Sequence, residues 1–197
     1  MPIKLGVYNW QSFAPDAGYY PQDLPPDWKL SYYANEFASA AIDLASGRIG
    51  IQQLQQLVDG LAQEFELTLA FSGLAQLDQW LTPLHQQPIK LHSLMLPPSA
   101  LAQLLRDQTR LKPLSTLGIV HSTQLITADA LWSPDKPDQH CRIALLEAHS
   151  DLKQYRRWIE QWVGDHPERC ETLWLQGETA NYSQLTKLRT LLELLGY

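Results

Sequence analysis

Along the chain, short runs of apolar, β-favouring residues alternate with longer stretches whose apolar positions recur every three to four residues. That alternation predicts a strand–helix repeat from one end to the other. A first strand is predicted over Ile3 to Trp10, and after the Pro-rich segment YYPQDLPPD a helix is predicted from about Asp27, its N-cap, with Leu30, Tyr33, Ala34 and Phe37 on one face. Ala40 to Leu44 reads as a strand. Beyond the Ser46-Gly47 turn signal, IQQLQQLVDGLAQEF puts Ile51, Leu54, Leu57, Val58, Leu61 and Phe65 on a single stripe, the cleanest helical pattern in the sequence. Leu67 to Phe71 is predicted as strand, Ala75 to Gln86 as helix, Ile89 to Leu96 as strand, and Ser99 to Leu111 as helix, capped by Ser99 after the Pro97-Pro98 stop.

The next stretch breaks the rhythm. Thr116 to His121 reads as a buried strand, but a second β-like run, Gln124 to Trp132, arrives too soon for a helix between them, so one crossover is missing. SPDKPDQH (133–140) is a loop by composition. A strand over Arg142 to Ala148 follows, then a helix capped by Ser150 or Asp151 that carries Leu152, Tyr155, Trp158, Ile159 and Trp162. The last unit is a strand at Glu171 to Gln176 and a helix from about Ser183, with Leu185, Leu188, Leu191, Leu192 and Leu195, stopped by Gly196. Seven strands and an arguable eighth, with no G-x-G-x-x-G after the first, predict an α/β fold of the TIM-like (β/α) barrel kind, minimal or incomplete, as one domain over residues 1–197. An open doubly wound sheet is the structural alternative.

Composition narrows the class. Hydrophobic residues make up 45% of the chain, enough to offset ordering entropy and exclude disorder. Fifteen Lys and Arg against 21 Asp and Glu leave a net charge of −6 with no basic block, so nucleic acid is not an expected partner. Two cysteines, Cys141 and Cys170, exclude a disulfide scaffold and a four-Cys zinc site. No run approaches the roughly 18 apolar residues of a membrane span, and MPIKLGVYNWQSF lacks the apolar core of a signal peptide. A cytoplasmic, prokaryote-like protein with no membrane partner is the expectation.

Several segments, taken in order, resemble domain-of-unknown-function family 72, the YecE-like barrels. LGVYNW resembles that family's first strand, which closes on Gly-Trp; Asn9 stands in place of the Gly and Trp10 is retained. In YYPQDLPPDWKLSYYANEF, the residues Tyr19, Tyr20, Pro21, Leu24, Leu30, Tyr32, Tyr33, Ala34 and Phe37 match the family hallmark in kind and spacing. Leu96, Pro97 and Pro98 match its fourth-strand ending, and LWLQGETANYSQLTKLRTLLELLG is similar to its last strand, loop and helix. The departures fall on polar positions. The family's Val-Glu-Ile-Asn aligns with Ala40-Ala41-Ile42-Asp43, so the carboxylate position is Ala41. The Lys that ends its third strand is missing from LTLAFSG, and its Glu-x-Arg-His has no clear counterpart. Its Arg-x-His-Gly becomes Leu145-Leu146-Glu147-Ala148-His149, and its Phe-Asn-Asn becomes Leu175-Gln176-Gly177. The resemblance implies a shortened, divergent barrel whose ancestral site has been remodelled.

A barrel's site lies at the C-terminal ends of its strands. That rule nominates Asn9, Trp10, Asp43, Ser72, His121, Glu147, His149, Gln176 and Glu178. Glu147 and His149, two apart on a predicted strand and so on one face, are the candidate catalytic pair, a carboxylate beside an imidazole; the competing expectation is that His149 joins the helix cap at Ser150-Asp151. Trp10, Tyr19, Tyr20, Asp43, His121 and Gln176 are the candidate ligand-binding residues. The spacing of His92, His121 and His149 supports no metal site, and no cofactor is expected. The loops EAHSD and QGETAN carry Glu147, Asp151 and Glu178, which oppose a phosphate and favour a neutral or cationic small molecule. The alternative is a degenerate, non-catalytic barrel acting as a protein-interaction module, with a protein partner or a second copy paired along an incomplete edge between the fifth and seventh strands.

Overall fold

Seven parallel strands form the centre of the molecule: β1 (Lys4–Tyr8), β2 (Ser39–Asp43), β3 (Glu66–Ala70), β4 (Ser93–Met95), β5 (Leu125–Ile126), β6 (Ile143–Leu146) and β7 (Thr172–Gln176). The computed structural model describes residues 2–16, 18–86, 91–137, 141–164 and 166–197. The strand order is β5-β4-β3-β2-β1-β7-β6, and the helices between them are α1 (Lys29–Ala34), α2 (Ile51–Val58), α3 (Leu74–His85), α4 (Pro98–Leu104), α5 (Gln108–Thr116), α6 (Leu152–Val163) and α7 (Tyr182–Leu195). None among the described residues is long and apolar enough to cross a membrane.

The period-2 alternation of the strands sorts their side chains into two separate cores. Leu5, Val7, Ala40, Ile42, Leu67, Leu69, Leu94, Ala144, Leu146, Leu173 and Leu175 join the helices in the larger core. Their strand neighbours Ala41, Ala70, Met95, Ile143 and Trp174 form a second core with Leu131, against which Tyr8, Ile126 and Leu145 pack. This second core is the lumen of a curled, barrel-like sheet, with the helices outside.

The curl is completed by an economy. Strands β4 and β6 face one stretch of chain: Leu125 and Ile126, as β5, pair with Leu94 and Met95, and beyond a 3-10 turn at Ala128–Ala130, Trp132 pairs with Ala144 of β6. Trp132 donates its N–H to Ile143 O (2.9 Å), and its carbonyl accepts from Leu145 (2.8 Å). The run Gln124 to Trp132 is therefore a two-residue strand, a turn and a bridge, and the missing crossover is missing because one segment serves both edges. Of the predicted fifth and seventh strands, Thr116 to His121 and Arg142 to Ala148, between which an incomplete edge is expected, the first is no strand and the second is β6, whose edge is met by Trp132.

Other differences have local causes. Asp27 lies inside a 3-10 turn, Pro26–Trp28, and α1 starts behind it. The stripe over 51–65 is helical only to Val58, because Asp59 is extended and Gly60 turns the chain at φ 79°. Leu61 and Phe65 still reach the core from the connection to β3. Ser99 to Leu111 is two helices: the Asp107 carboxylate caps a second one through the Thr109 N–H (3.0 Å). That helix, α5, occupies the chain up to Thr116, so Thr116 to His121 is no strand; Gly118, at φ 92°, turns the chain toward β5. The predicted start of the fourth strand at Ile89 and the end of the 133–140 loop lie outside the described residues.

Candidate functional site

Side chains occupy the lumen in layers. At the N-terminal end of the strands, Glu66 accepts from Lys4, lies 3.1 Å from His92 Nδ1, and receives the Thr172 hydroxyl at 3.3 Å. Burial holds the His92 imidazole below its ordinary pKa against the pull of Glu66. In the next layer, the Thr68 and Ser93 hydroxyls share a hydrogen bond (2.6 Å), and the Trp174 indole donates to Ser39 Oγ (2.8 Å). Above these, Tyr8 packs against Trp174 with ring centroids 6.0 Å apart, surrounded by Met95, Ile126 and Leu145. The polar atoms of the middle layer thus satisfy one another, and the upper layer is apolar and aromatic. A cavity of about 220 Å³ opens at the N-terminal side, between His92, Gln124 and Arg142.

The mouth is drawn tight by the ends of β1, β2 and β7. Asn9, at φ 58° and ψ 51°, is the one non-glycine residue with positive φ among the described residues. Asn tolerates this left-handed geometry better than most side chains, which gives the Gly-to-Asn departure from the resembling family a physical basis. Its Nδ2 donates to Glu178 (3.3 Å) while its Oδ1 is buried without a partner. Gly177 donates its N–H to Tyr8 O (2.7 Å), and a Cβ there would come within 2.4 Å of the Asn9 carbonyl oxygen. The Gln11 side chain bonds both the N–H and the carbonyl of Asp43 (3.2 and 2.7 Å). Burial first, and then the Asp43 charge, raise the Tyr8 hydroxyl pKa.

Glu147 and His149 lie beyond the end of β6, and both are exposed. The His149 backbone N–H donates to the Tyr155 hydroxyl (2.7 Å), its Nδ1 accepts from the Asp151 N–H (3.0 Å), and its ring stands edge-on to Tyr155 and Trp158. The imidazole is part of the start of α6, where Asp151 caps the helix through Lys153 N (2.9 Å). His121 sits ahead of β5, at the opposite end of the strands from Asp43 and Gln176, because the segment expected to carry it as a strand ends in a helix instead. His92 is also at that end, so the three histidines do not meet, and no group of three or more metal-ligating side chains occurs among the described residues.

The largest cavity described, about 580 Å³, lies beside the mouth and outside the lumen, between the β1–α1 loop, the β2–α2 loop and α2. Trp10, Phe13 and Tyr20 supply aromatic lining; Gln11, Lys29, Arg48 and Gln53 supply polar groups. Trp10 packs edge-on to Tyr33 and is 7% exposed, and its indole N–H has no hydrogen-bond partner. Tyr19 is buried in a cluster with Tyr20, Tyr32 and Tyr182, and its hydroxyl is also unpaired. Burial pushes the Tyr19 and Tyr20 hydroxyls upward, so both stay protonated donors. The buried side-chain atoms left without partners among the described residues are Asn9 Oδ1, Trp10 Nε1 and Tyr19 Oη, all on the β1–α1 segment. Such atoms cost about 1–3 kcal/mol each unless water or a ligand meets them.

Sequence reasoning reached Trp10 and Tyr20 but not Lys29, Arg48 or Gln53. Strand ends were the positions weighed, whereas these lie at the start of α1, in the β2–α2 loop and on α2. The legible signal was one cation after each of the first two strands, Lys29 beyond the Pro25-Pro26 stop and Arg48 beyond the Ser46-Gly47 turn.

No protein-family model matches the sequence, and no curated protein matches it. Among solved structures, the chain is similar to a DUF72 family protein from Thermotoga maritima, with TM-score 0.52 and 10% identity over 100% of both chains. A DUF72 family protein from Enterococcus faecalis is also similar, with TM-score 0.45 and 10% identity over 100% of this chain and 98% of the other. The Thermotoga likeness extends the motif resemblance to the whole fold.

Proposed function

From the barrel fold it shares with a DUF72 family protein, we propose that this chain binds a small molecule at the C-terminal side of its strands, in the cavity between the β1–α1 and β2–α2 loops, with the lumen no longer serving as a site. One observation carries the reading. The three buried, unpaired side-chain atoms fall on the segment that walls the cavity, and one of them belongs to Trp10, which lines it. A volume of about 580 Å³ is in the range of ligand pockets.

The reading assigns binding and no reaction. A general base needs a free lone pair, and His149 Nδ1 already accepts the Asp151 N–H. An interaction module working through an open sheet edge is disfavoured, since Trp132 pairs with that edge. The acidic, cysteine-poor composition suits a cytoplasmic bacterial protein.

The test is crystallographic. Crystals soaked in a mixed fragment library should show density in this cavity in contact with Trp10. Fragments found only elsewhere, or none at all, would overturn the proposal.

A further inference from the structure

We infer that the cavity is built for a small aromatic monocarboxylate, its ring held by Trp10 and Tyr20 and its carboxylate by Lys29 and Arg48. This rests on the cavity being the binding site and adds the chemical class of the ligand. Lys29, the first residue of α1, and Arg48, in the β2–α2 loop, share the lining. Neither forms an ion pair among the described residues: the Lys29 ammonium lies over the Tyr20 ring, 5.4 Å from its centroid, and Arg48 donates one Nη1 bond to Ser12 Oγ (2.8 Å). The one acid in the lining, Asp16, accepts the Ser183 N–H (3.1 Å) at the first turn of α7, where the helix dipole favours its charge. The cavity therefore carries a net charge of one positive unit, from Lys29 and Arg48 against Asp16.

That balance selects the ligand. A monoanion neutralises it, and a planar carboxylate suits a guanidinium fork. A phosphate, at about −1.5 to −2, overshoots it. The acidic loops after β6 and β7, which disfavour an anion, are not part of this lining. Trp10, Phe13 and Tyr20 supply aromatic lining for a ring.

The experiment is isothermal titration of the full chain with three probes of one shape and different charge: 2-naphthoate, 2-naphthamide and 2-naphthylmethylamine. Naphthoate should bind at least about tenfold more tightly than the amide, and the amine most weakly. Lys29→Gln, at a half-buried position, and Arg48→Gln, at an exposed one, should each cost naphthoate about tenfold and leave amide binding unchanged, with the melting temperature of each variant checking that it folds. Equal binding of acid and amide, or an acid affinity indifferent to both substitutions, would overturn the carboxylate assignment. If Trp10→Phe still weakened both probes in that case, the cavity would stand as the site. If the acid failed to bind while fragments occupied the cavity in soaked crystals, the ligand class would be wrong and the site right.

Discussion

If the lumen is dry and packed, the Trp174–Ser39 hydrogen bond must behave as a buried pair, and a double-mutant cycle can read this directly. Ser39 is fully buried and Trp174 is 1% exposed, with Nε1 2.8 Å from Oγ. Ser39→Ala leaves an indole N–H facing hydrocarbon, at a cost of about 1–3 kcal/mol. Trp174→Phe leaves the Ser39 hydroxyl orphaned and also removes part of a ring from a filled layer, so its cost should be larger, about 3 kcal/mol. The double variant has no orphan on either side. Its loss should therefore fall short of the sum by about 1–2 kcal/mol. Urea unfolding at 25 °C measures each corner; with a slope of about 2 kcal/mol/M, Ser39→Ala should lower the midpoint by roughly 0.5–1.5 M. Additive costs within about 0.5 kcal/mol would mean that water enters and satisfies both groups. The lumen would then be a wet cavity, and the argument that moves the site outside it would fail.

Three further outcomes are expected. Gly6→Ala would place a Cβ 2.1 Å from the Ser39 carbonyl oxygen, forcing β1 and β2 apart; a cost of about 3 kcal/mol should lower Tm by roughly 6–12 °C, and an unchanged melt would show that the two strands can part cheaply. Burial raises the pKa of both thiols, and Cys170 is pushed up to about 11; iodoacetamide at pH 8 should therefore label the half-buried Cys141 first and Cys170 only after denaturation, as read by mass spectrometry. His92 has a depressed pKa beside Glu66, Lys4, Glu171 and Arg142. The unfolded chain then binds the proton more tightly, so stability is full above about pH 6.5 and falls as pH drops through the folded value. His92→Gln should flatten the dependence of the urea midpoint between about pH 7 and 5, and an unaltered slope would remove His92 as its source.

The periodicities carried most of the architecture. The alternation of β-like and helical patterns is a local property, and it placed the first and last strands and the helix expected to be capped by Ser150 or Asp151, of which Asp151 is the cap. The number of strand-helix units and the absent dinucleotide fingerprint pointed to a barrel, and the motif resemblance agreed with it. What failed locally was the region from Ser99 to Trp132, where Asp107 can cap a helix as readily as sit within one, and where Gly118 decides the direction of the chain. No pattern of apolar positions reveals that Leu125–Ile126 and Trp132 pair with opposite edges of one sheet, because strand partnership is a long-range property. The candidate site divides similarly. Trp10 was legible as an aromatic at the end of the first strand. The seat of His149 in the α6 cap was only one of two expectations, because its choice of partner depends on where α6 begins.

The sequence by itself determined the alternation of strands and helices, since two-residue and 3.6-residue periods are local properties. It also set the chemistry available: few charges, no metal-ligand spacing, and aromatics concentrated near the first strand. Only the tertiary structure decided that Trp174 and its neighbours occupy the middle of the lumen, that one segment pairs with both β4 and β6, and that Lys29 and Arg48 share a cavity with Trp10. These are matters of distance between parts of the chain far apart in sequence. Packing sets them, through the size of Trp174 in the lumen and the close approach of Gly177 to Asn9, and no local pattern encodes them.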